Sequence, residues 1–197
     1  MTRLYEYDVF ISYQRTSPTV PLWIRHHFYP RLSELLYENA DFDVKIFYDE
    51  QVPIGVAWPV KLQGALRRTR ILLPVCSPRY FQDEWCLAEW HSMAKREEIL
   101  GMSSAENPES LIYPVVFSDS DNFPEYARER RMRSFRHLNQ PYPQFQASPA
   151  YLDFHQEMDQ VAAELVDIIE RTPEWRPDWP VTMVKPQPRR RPRLPRL

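Results

Sequence analysis

One carboxylate in the sequence stands where it could do chemistry. In "DEWCLAEW" (residues 83–90), Glu89 follows Trp85 by four residues, and on a helix that begins in this stretch the two side chains are neighbours. In one interpretation Glu89 is a surface carboxylate that pairs with His91, Arg96 or a neighbouring helix, and Trp85 packs at the rim. In the other, the pair lines a ligand site. Position favours the second, because ligands of open α/β sheets bind beyond the carboxyl ends of the strands, where such helices begin.

The helical period divides this segment into two adjoining stripes. One is apolar and contains Cys86, Trp90, Met93 and Leu100. The other contains Trp85, Glu89, Ser92 and Arg96. We therefore expect Glu89 to border the core without entering it.

The elements that must position this helix alternate between strand and helix. Short apolar and β-branched runs predict strands at about 6–12, 42–49, 70–77 and 110–119, with a fifth near 134–139. Helices are predicted at 21–40 with an interruption at Pro30, at 59–69, at 84–100 between Asp83 and Gly101, at 124–133 and at 151–172. The alternation predicts an α/β fold: a flavodoxin-like, five-stranded parallel sheet with helices on both faces. Pro114 would remove a ladder donor, so we expect it near a sheet edge or at a bulge.

Composition indicates one domain followed by a tail. The chain has 197 residues, of which 43% are hydrophobic, enough for one substantial core, which we assign to residues 1–172. Residues 173–197 contain seven prolines and little apolar surface. We expect them to form an extended Pro/Arg-rich tail that is disordered.

Charge is unevenly distributed along the chain. The 25 Lys and Arg residues nearly balance the 27 Asp and Glu residues, which argues against a surface built throughout for nucleic acid. The tail, however, has a net charge of +5, and residues 1–172 have −7. Its "RRRPRLPR" could bind nucleic acid or an acidic partner by counterion release, or it could be only a solubilising end.

Several kinds of chemistry are excluded by residue type. Glycine occurs only at 55, 64 and 101, so neither a GxGxxG motif nor a phosphate-binding Walker loop can be written. No HExxH motif or cluster of His and Cys at metal spacing is present, and His26 and His27 point to different faces of a helix. We therefore expect no bound metal.

Cellular location follows from what the sequence contains. Cys76 and Cys86 form no CxxC pair and suit buried thiols in a reducing compartment. The amino-terminal stretch does not have the apolar run of a signal peptide, and no run approaches the ~18 apolar residues that span a bilayer. We expect a soluble, cytoplasmic protein that does not enter a membrane.

Three segments, in order and at matching spacing, resemble the TIR domain. They are "YDVFISY" at 7–13, "FYDEQVPIG" at 47–55 and "CSPRYFQDEWCLAEW" at 76–90, which correspond to the first-box strand, the loop after the second strand and an "SPxYxxSxWCxxEL"-like segment. Asp83 replaces the usual Ser, and Trp90 replaces the usual Leu. The resemblance covers about residues 5–172 and is to the bacterial, stand-alone, NAD-cleaving type.

This resemblance implies a set of functional residues. In TIR domains that hydrolyse NAD+, a Glu of this helix is catalytic and a Trp precedes it by four residues; Glu89 and Trp85 occupy these positions. The resemblance also implies a substrate pocket, with NAD+ as substrate and no cofactor, formed by Tyr13, Arg15, Phe47, Asp49, Ile54 and Gly55.

The resemblance implies an NAD+ glycohydrolase that yields nicotinamide and ADP-ribose or a cyclic isomer, acting as an antiphage defence effector or signal producer. The alternative is a non-catalytic module that assembles with other TIR domains. In either case we expect self-association, and control by or of a separate sensor or effector protein.

Overall fold

Five parallel strands form the sheet in the computed structural model, which describes residues 4–48, 58–182 and 184. The strands are β1 (Tyr7–Tyr13), β2 (Ile46–Phe47), β3 (Thr69–Cys76), β4 (Val115–Val116) and β5 (Arg133–Ser134). They lie in the order β2-β1-β3-β4-β5, and every pair is parallel. The predicted flavodoxin-like sheet is confirmed.

Helices cover both faces of this sheet. They are α1 (Val20–Trp23), α2 (Tyr29–Asn39), α3 (Trp58–Arg67), α4 (Glu84–Leu100), α5 (Glu125–Arg128) and α6 (Ala150–Arg171). A wider π-helical turn, Ile24–Phe28, joins α1 to α2. It ends just before Pro30, which lies near the start of α2 and has no N–H to donate to a carbonyl of the preceding turn. The interruption predicted at Pro30 is therefore a π turn within a continuing helix.

Three predicted elements are much shorter than expected. β4 is reduced to two residues because Pro114 has no N–H for the ladder: Ile112 pairs with Leu72, and regular pairing resumes at Val115. β4 also lies inside the sheet, so Pro114 marks an interruption and not an edge. β2 pairs only at 46–47. The helix predicted at 124–133 is a single turn, in which only Ala127 is buried.

The core has two parts, one on each face of the sheet. Along β1, Val9, Ile11 and Tyr13 belong to the cluster packed by α2 and α6, whereas Phe10 belongs to the cluster packed by α3 and α4. Since side chains alternate along a strand, Ser12 faces α4. This alternation determines what a side chain on α4 can contact.

Residues 173–182, which we call the C-terminal strap, pack on the body of the protein. Trp179 is only 2% exposed, and Tyr5 Oη donates to the carbonyl of Pro173 at 2.9 Å. Trp175 Nε1 donates to the carbonyl of Arg67 at 3.1 Å. This packing differs from the expectation of an unpacked tail. Trp175 and Trp179 supply apolar surface in a segment that otherwise contains little of it. Residues 185–197 lie outside the described part of the chain.

No helix among the described residues is both long enough and apolar enough to cross a membrane.

Candidate active site

Helix α4 begins and ends where the sequence predicts. The Asp83 carboxylate accepts hydrogen bonds from the backbone N–H groups of Trp85 at 2.9 Å and Cys86 at 3.1 Å, as an N-cap does. Gly101 ends the helix with a left-handed φ of 65°. The cap fixes the rotation of the first turns and therefore the direction in which Glu89 points.

Glu89 points into the protein, under the carboxyl end of β1. Glu89 is 2% exposed. The surface interpretation is therefore wrong, and so is the expectation that Glu89 only borders the core. Ser12 Oγ donates to Glu89 Oε2 at 2.5 Å, and Arg15 Nη2 donates to Oε1 at 3.2 Å. Arg15 keeps 21% of its side chain exposed, so one end of the site reaches solvent.

The contacts of Glu89 favour the ionised carboxylate. Both of its oxygens accept hydrogen bonds, one of them from a cation, and burial of a charge is tolerated when it is paired in this way. Because the single proton of Ser12 goes to Glu89, Tyr80 is the donor in the 2.8 Å contact between Ser12 Oγ and Tyr80 Oη, and the carbonyl of Cys86, at 3.3 Å from Tyr80 Oη, is the more distant acceptor of the same hydroxyl. Burial raises the pKa of Tyr80 well above its ordinary value, so the phenol keeps that proton. A chain of donors, Tyr80 to Ser12 to Glu89, therefore holds the charge.

Sequence reasoning did not identify Ser12 and Tyr80. Both lie inside segments that carry the TIR resemblance, Ser12 in "YDVFISY" and Tyr80 in "CSPRYFQDEWCLAEW". The available signal was the hydroxyl of Ser12, which interrupts the apolar run after Asp8 and lies on the face of the strand toward α4.

The other predicted pocket residues take different positions. Trp85 lies one turn before Glu89, partly buried against the core cluster between the sheet and α4. Tyr13 is 2% exposed in the opposite core cluster, and its ring centroid lies 5.8 Å from Arg15 Cζ. Phe47 is a core residue that stacks on Phe10 with 4.7 Å between ring centroids. Asp49, Ile54 and Gly55 lie outside the described residues.

The nearby thiols are not nucleophiles in this environment. Cys76 and Cys86 are free and buried, as expected. Burial raises the pKa of both thiols, so the reactive thiolate is disfavoured. Within the described ranges, no group of three or more His, Cys, Asp or Glu side chains could hold a metal ion.

A cavity of about 650 Å³ lies away from this site, at the amino ends of β4 and β5. Its walls come from the segment before β4, from β5 and from α6, and they include Tyr113, Arg133 and Glu164. Arg133 binds Glu157, Glu164 and Tyr113 there, so its donors are used within the protein. None of the predicted site residues lines this cavity.

Comparison with known proteins gives a family and two related folds. The TIR domain family matches residues 9–166. The TIR domain of the Toll-related receptor TRR-2 from Hydra magnipapillata is 15% identical, with a TM-score of 0.47 and coverage of 77% of this chain and 98% of that one. The TIR domains of the activated Roq1 resistosome, which recognises the pathogen effector XopQ, are 20% identical, with a TM-score of 0.41 and coverage of 84% and 96%.

No curated protein matches the chain significantly. The family match extends over most of the chain and includes most of β1, all of α4 and most of α6. The chain belongs to the TIR domain family.

Proposed function

We propose that the protein is an NAD+ glycohydrolase in which Glu89 is the catalytic residue. One observation carries the proposal: a buried carboxylate, held ionised by Ser12 and Arg15, lies at the carboxyl end of the sheet, at the position that the TIR resemblance assigns to catalysis. TIR domains include NAD-cleaving enzymes and non-catalytic adaptors, and many of the adaptors do not have this Glu.

The charge of Glu89 suits the cleavage of a nicotinamide–ribose bond. As that bond breaks, nicotinamide leaves neutral with the bonding electron pair, and positive charge develops on the ribose ring. Glycosidases stabilise such oxocarbenium-like states with carboxylates. A preorganised group of this kind is typically worth ~3–4 kcal/mol in the transition state. Because the leaving group departs neutral, a general acid is not required.

The reaction is completed by a nucleophile that attacks the ribose carbon. Attack by water yields ADP-ribose and releases a proton, and attack by a ring nitrogen of the adenine of the same molecule yields a cyclic isomer. Glu89 can also accept hydrogen bonds from the ribose hydroxyls. The indole of Trp85, one turn earlier on α4, offers a flat apolar face to the nicotinamide or the ribose.

Arg15 has a second role in this proposal. Its guanidinium is a planar fork of N–H donors of the kind that binds carboxylate and phosphate oxygens, and it contacts Glu89. Because the side chain is partly exposed, it can also meet a phosphate of NAD+ that enters beside Glu89. Arg15 would then orient the substrate relative to the carboxylate.

We further propose that the enzyme acts in the cytoplasm, as a defence effector or a producer of a signal. Its activity would depend on self-association, on other TIR domains or on a separate sensor protein. The alternative is a TIR module that assembles without catalysing a reaction.

The test uses the full chain at high concentration, because assembly is part of the proposal. Incubation with NAD+, with nicotinamide release followed and the ribosyl product resolved, is compared for the native chain, Glu89→Ala and Glu98→Ala. Glu98 is an exposed glutamate on the same helix and serves as the matched control. We expect turnover by the native chain and Glu98→Ala and its loss in Glu89→Ala. Equal turnover in all three would remove Glu89 from the mechanism, whereas turnover in none of them would leave the non-catalytic module.

A further inference from the structure

Another cavity, of about 500 Å³, opens between α3 and the C-terminal strap. We call it the α3–strap groove; its walls come from α3 with the adjoining Arg68 and from Trp175 in the strap. The Glu6 N–H, just before β1, donates to the carbonyl of Arg68, just before β3, so the groove lies at the amino ends of these strands. Ser12, which holds Glu89, is six residues farther along β1, or about 20 Å at ~3.3 Å per residue. The groove is therefore separate from the candidate active site.

The α3–strap groove is positively charged. The described residues that line it include three cations, Lys61, Arg67 and Arg68, and one carboxylate, Glu6, which gives a net charge of +2. By contrast, residues 1–172 as a whole have a net charge of −7. This local excess of cations favours an anionic ligand, and guanidinium groups bind phosphate oxygens in particular.

The cations of the groove keep N–H donors for a ligand. Glu6 lies between Lys61 and Arg68, with N···O distances of 3.6 Å to each, which is longer than a hydrogen bond. Arg67 is exposed, and no described residue forms an ion pair with it. An incoming phosphate can therefore take hydrogen bonds that the protein itself does not use.

Apolar surface lies beside these charges. Trp175 is half-buried in the wall of the groove, and its Nε1 donates to the carbonyl of Arg67 at 3.1 Å, which fixes the indole at the end of α3. Val60, which also lines the groove, is 69% exposed. Nucleic-acid bases stack on indole rings whatever the base. The groove thus suits a ligand that joins a flat, apolar ring to negative charge.

Gly64 leaves room for such a ring. It lies in the middle of α3, is exposed and lines the groove. Glycine is less favourable than alanine inside a helix, yet a Cβ at Gly64 would meet no atom of the described residues within 4 Å. The packing of the protein therefore does not require glycine here. A glycine does allow a ligand to approach the helix backbone closely.

We propose that the α3–strap groove binds a nucleotide, with its base against Trp175 and Gly64 and its phosphates on Lys61, Arg67 and Arg68. The volume of the groove falls within the range of about 300–1,000 Å³ that is usual for small-molecule sites. Because the groove and Glu89 lie near opposite ends of β1, the bound nucleotide does not occupy the candidate active site. The inference does not depend on whether the chain cleaves NAD+.

Binding is tested by titrating the isotope-labelled full chain with ADP, which has no nicotinamide to release. We expect the amide signals of residues 60–68 and of 175 and 176 to shift saturably. Adenosine and pyrophosphate, which separate the base from the phosphates, should each bind at least about tenfold more weakly, since each loses one set of contacts. Equal affinity for pyrophosphate and ADP would reveal an anion site without base recognition and overturn the proposal. Shifts confined to residues 83–90 would place ADP at the candidate active site and overturn it as well.

Two variants locate the site, and one serves as a control. Gly64→Leu fills the groove from a position with open space around it, so the chain should keep its melting temperature. Arg67→Gln removes a phosphate donor. We expect both to weaken ADP binding about tenfold or more, as the loss of a charge-assisted hydrogen bond does, and Arg79→Gln, at an exposed arginine outside the groove, to bind as the native chain does. Native affinity in both Gly64→Leu and Arg67→Gln would refute the assignment.

Discussion

Glu89 carries its charge inside the protein, and its neighbours decide whether the charge is stable there. An ionised carboxylate without partners would cost several kcal/mol to bury, and it would take up a proton instead. Here Ser12 and Arg15 donate hydrogen bonds to its two oxygens. Tyr80 donates to Ser12 Oγ, so the Ser12 hydroxyl proton points to Glu89. Of these, only Arg15 is partly exposed. Ser12 is therefore placed to position the charge, and we expect it not to touch substrate.

Ser12→Ala should lower kcat for NAD+ cleavage and leave KM unchanged. It removes a donor from a buried charge, a loss of about 1–3 kcal/mol. At 1.36 kcal/mol per decade this corresponds to a loss of about 5- to 160-fold in rate. Steady-state kinetics measures the split, and Ser33→Ala, which removes a serine bonded only to the Tyr29 carbonyl, is the control. A rise in KM at constant kcat would show instead that Ser12 binds substrate.

For single residues, the sequence predicts which stripe of a helix carries a side chain better than it predicts how deeply that side chain is buried. The helical period correctly places Glu89 and Trp85 one turn apart on one stripe, and Asp83 and Gly101 define the ends of the helix. The period cannot show how closely β1 approaches that stripe. Glu89 is buried because Ser12, at the facing position of β1, offers it a donor, and that contact joins residues 77 positions apart.

Among the elements, those with a continuous apolar face are the ones that the sequence locates well. Helix α6 was predicted at 151–172 and forms Ala150–Arg171, with buried residues repeating at helical spacing. The segment at 129–132 does not have such a face and remains irregular, although its residue types suit a helix. The segment at 42–45 is also irregular, and its apolar residues Phe42 and Val44 are only partly buried against the core. Burial of an apolar face, and not propensity, sets the length of these elements.

The π turn between α1 and α2 should make stability depend on pH through His27. This ring is 1% exposed, Nε2 lies 3.0 Å from the carbonyl of Tyr142, and burial lowers the pKa of His27 below its ordinary 6.5. Below about pH 6.5 the histidine of the unfolded chain binds a proton that the folded chain does not bind. The free energy of unfolding is therefore fully retained above that pH and falls as the pH drops through it.

The melting temperatures of the native protein and of His27→Gln are measured between about pH 8 and pH 5.5. Across this range the histidine of the unfolded chain becomes protonated. We expect a smaller fall in the variant, because glutamine keeps an N–H donor for Tyr142 and does not titrate. His137→Gln changes an exposed histidine and should fall as the native protein does. Identical falls for His27→Gln and native protein would remove His27 as the cause.

For the whole molecule, the strap extends the folded unit beyond the residues that match the family. The matched region ends at 166, yet Trp179 closes over Arg96, which is fully buried and bonded to the carbonyls of Leu66 and Thr69. Burial lowers the pKa of Arg96 to about 10. The indole face therefore helps to hold a cation that would otherwise be poorly solvated.

Trp179→Ala should destabilise the protein far more than Trp175→Ala. A buried Trp replaced by Ala costs about 3–5 kcal/mol, and here the cavity also opens beside the Arg96 cation. Trp175 is only partly buried and makes one hydrogen bond, so its loss should cost about 1 kcal/mol. Urea unfolding of the two variants measures the difference. Equal, small losses would mean that the strap is not part of the folded unit.

The most direct measurement of the central claim is the single-turnover rate of nicotinamide release by the native chain and by Glu89→Gln at equal, high protein concentration. The variant keeps the size of the side chain, removes its charge and replaces one acceptor oxygen by an amide NH2 group. A fall of about 10²–10³-fold, with an unchanged fold, is expected for the loss of one preorganised electrostatic group. A rate equal to that of the native chain would contradict the assignment of catalysis to the charge of Glu89.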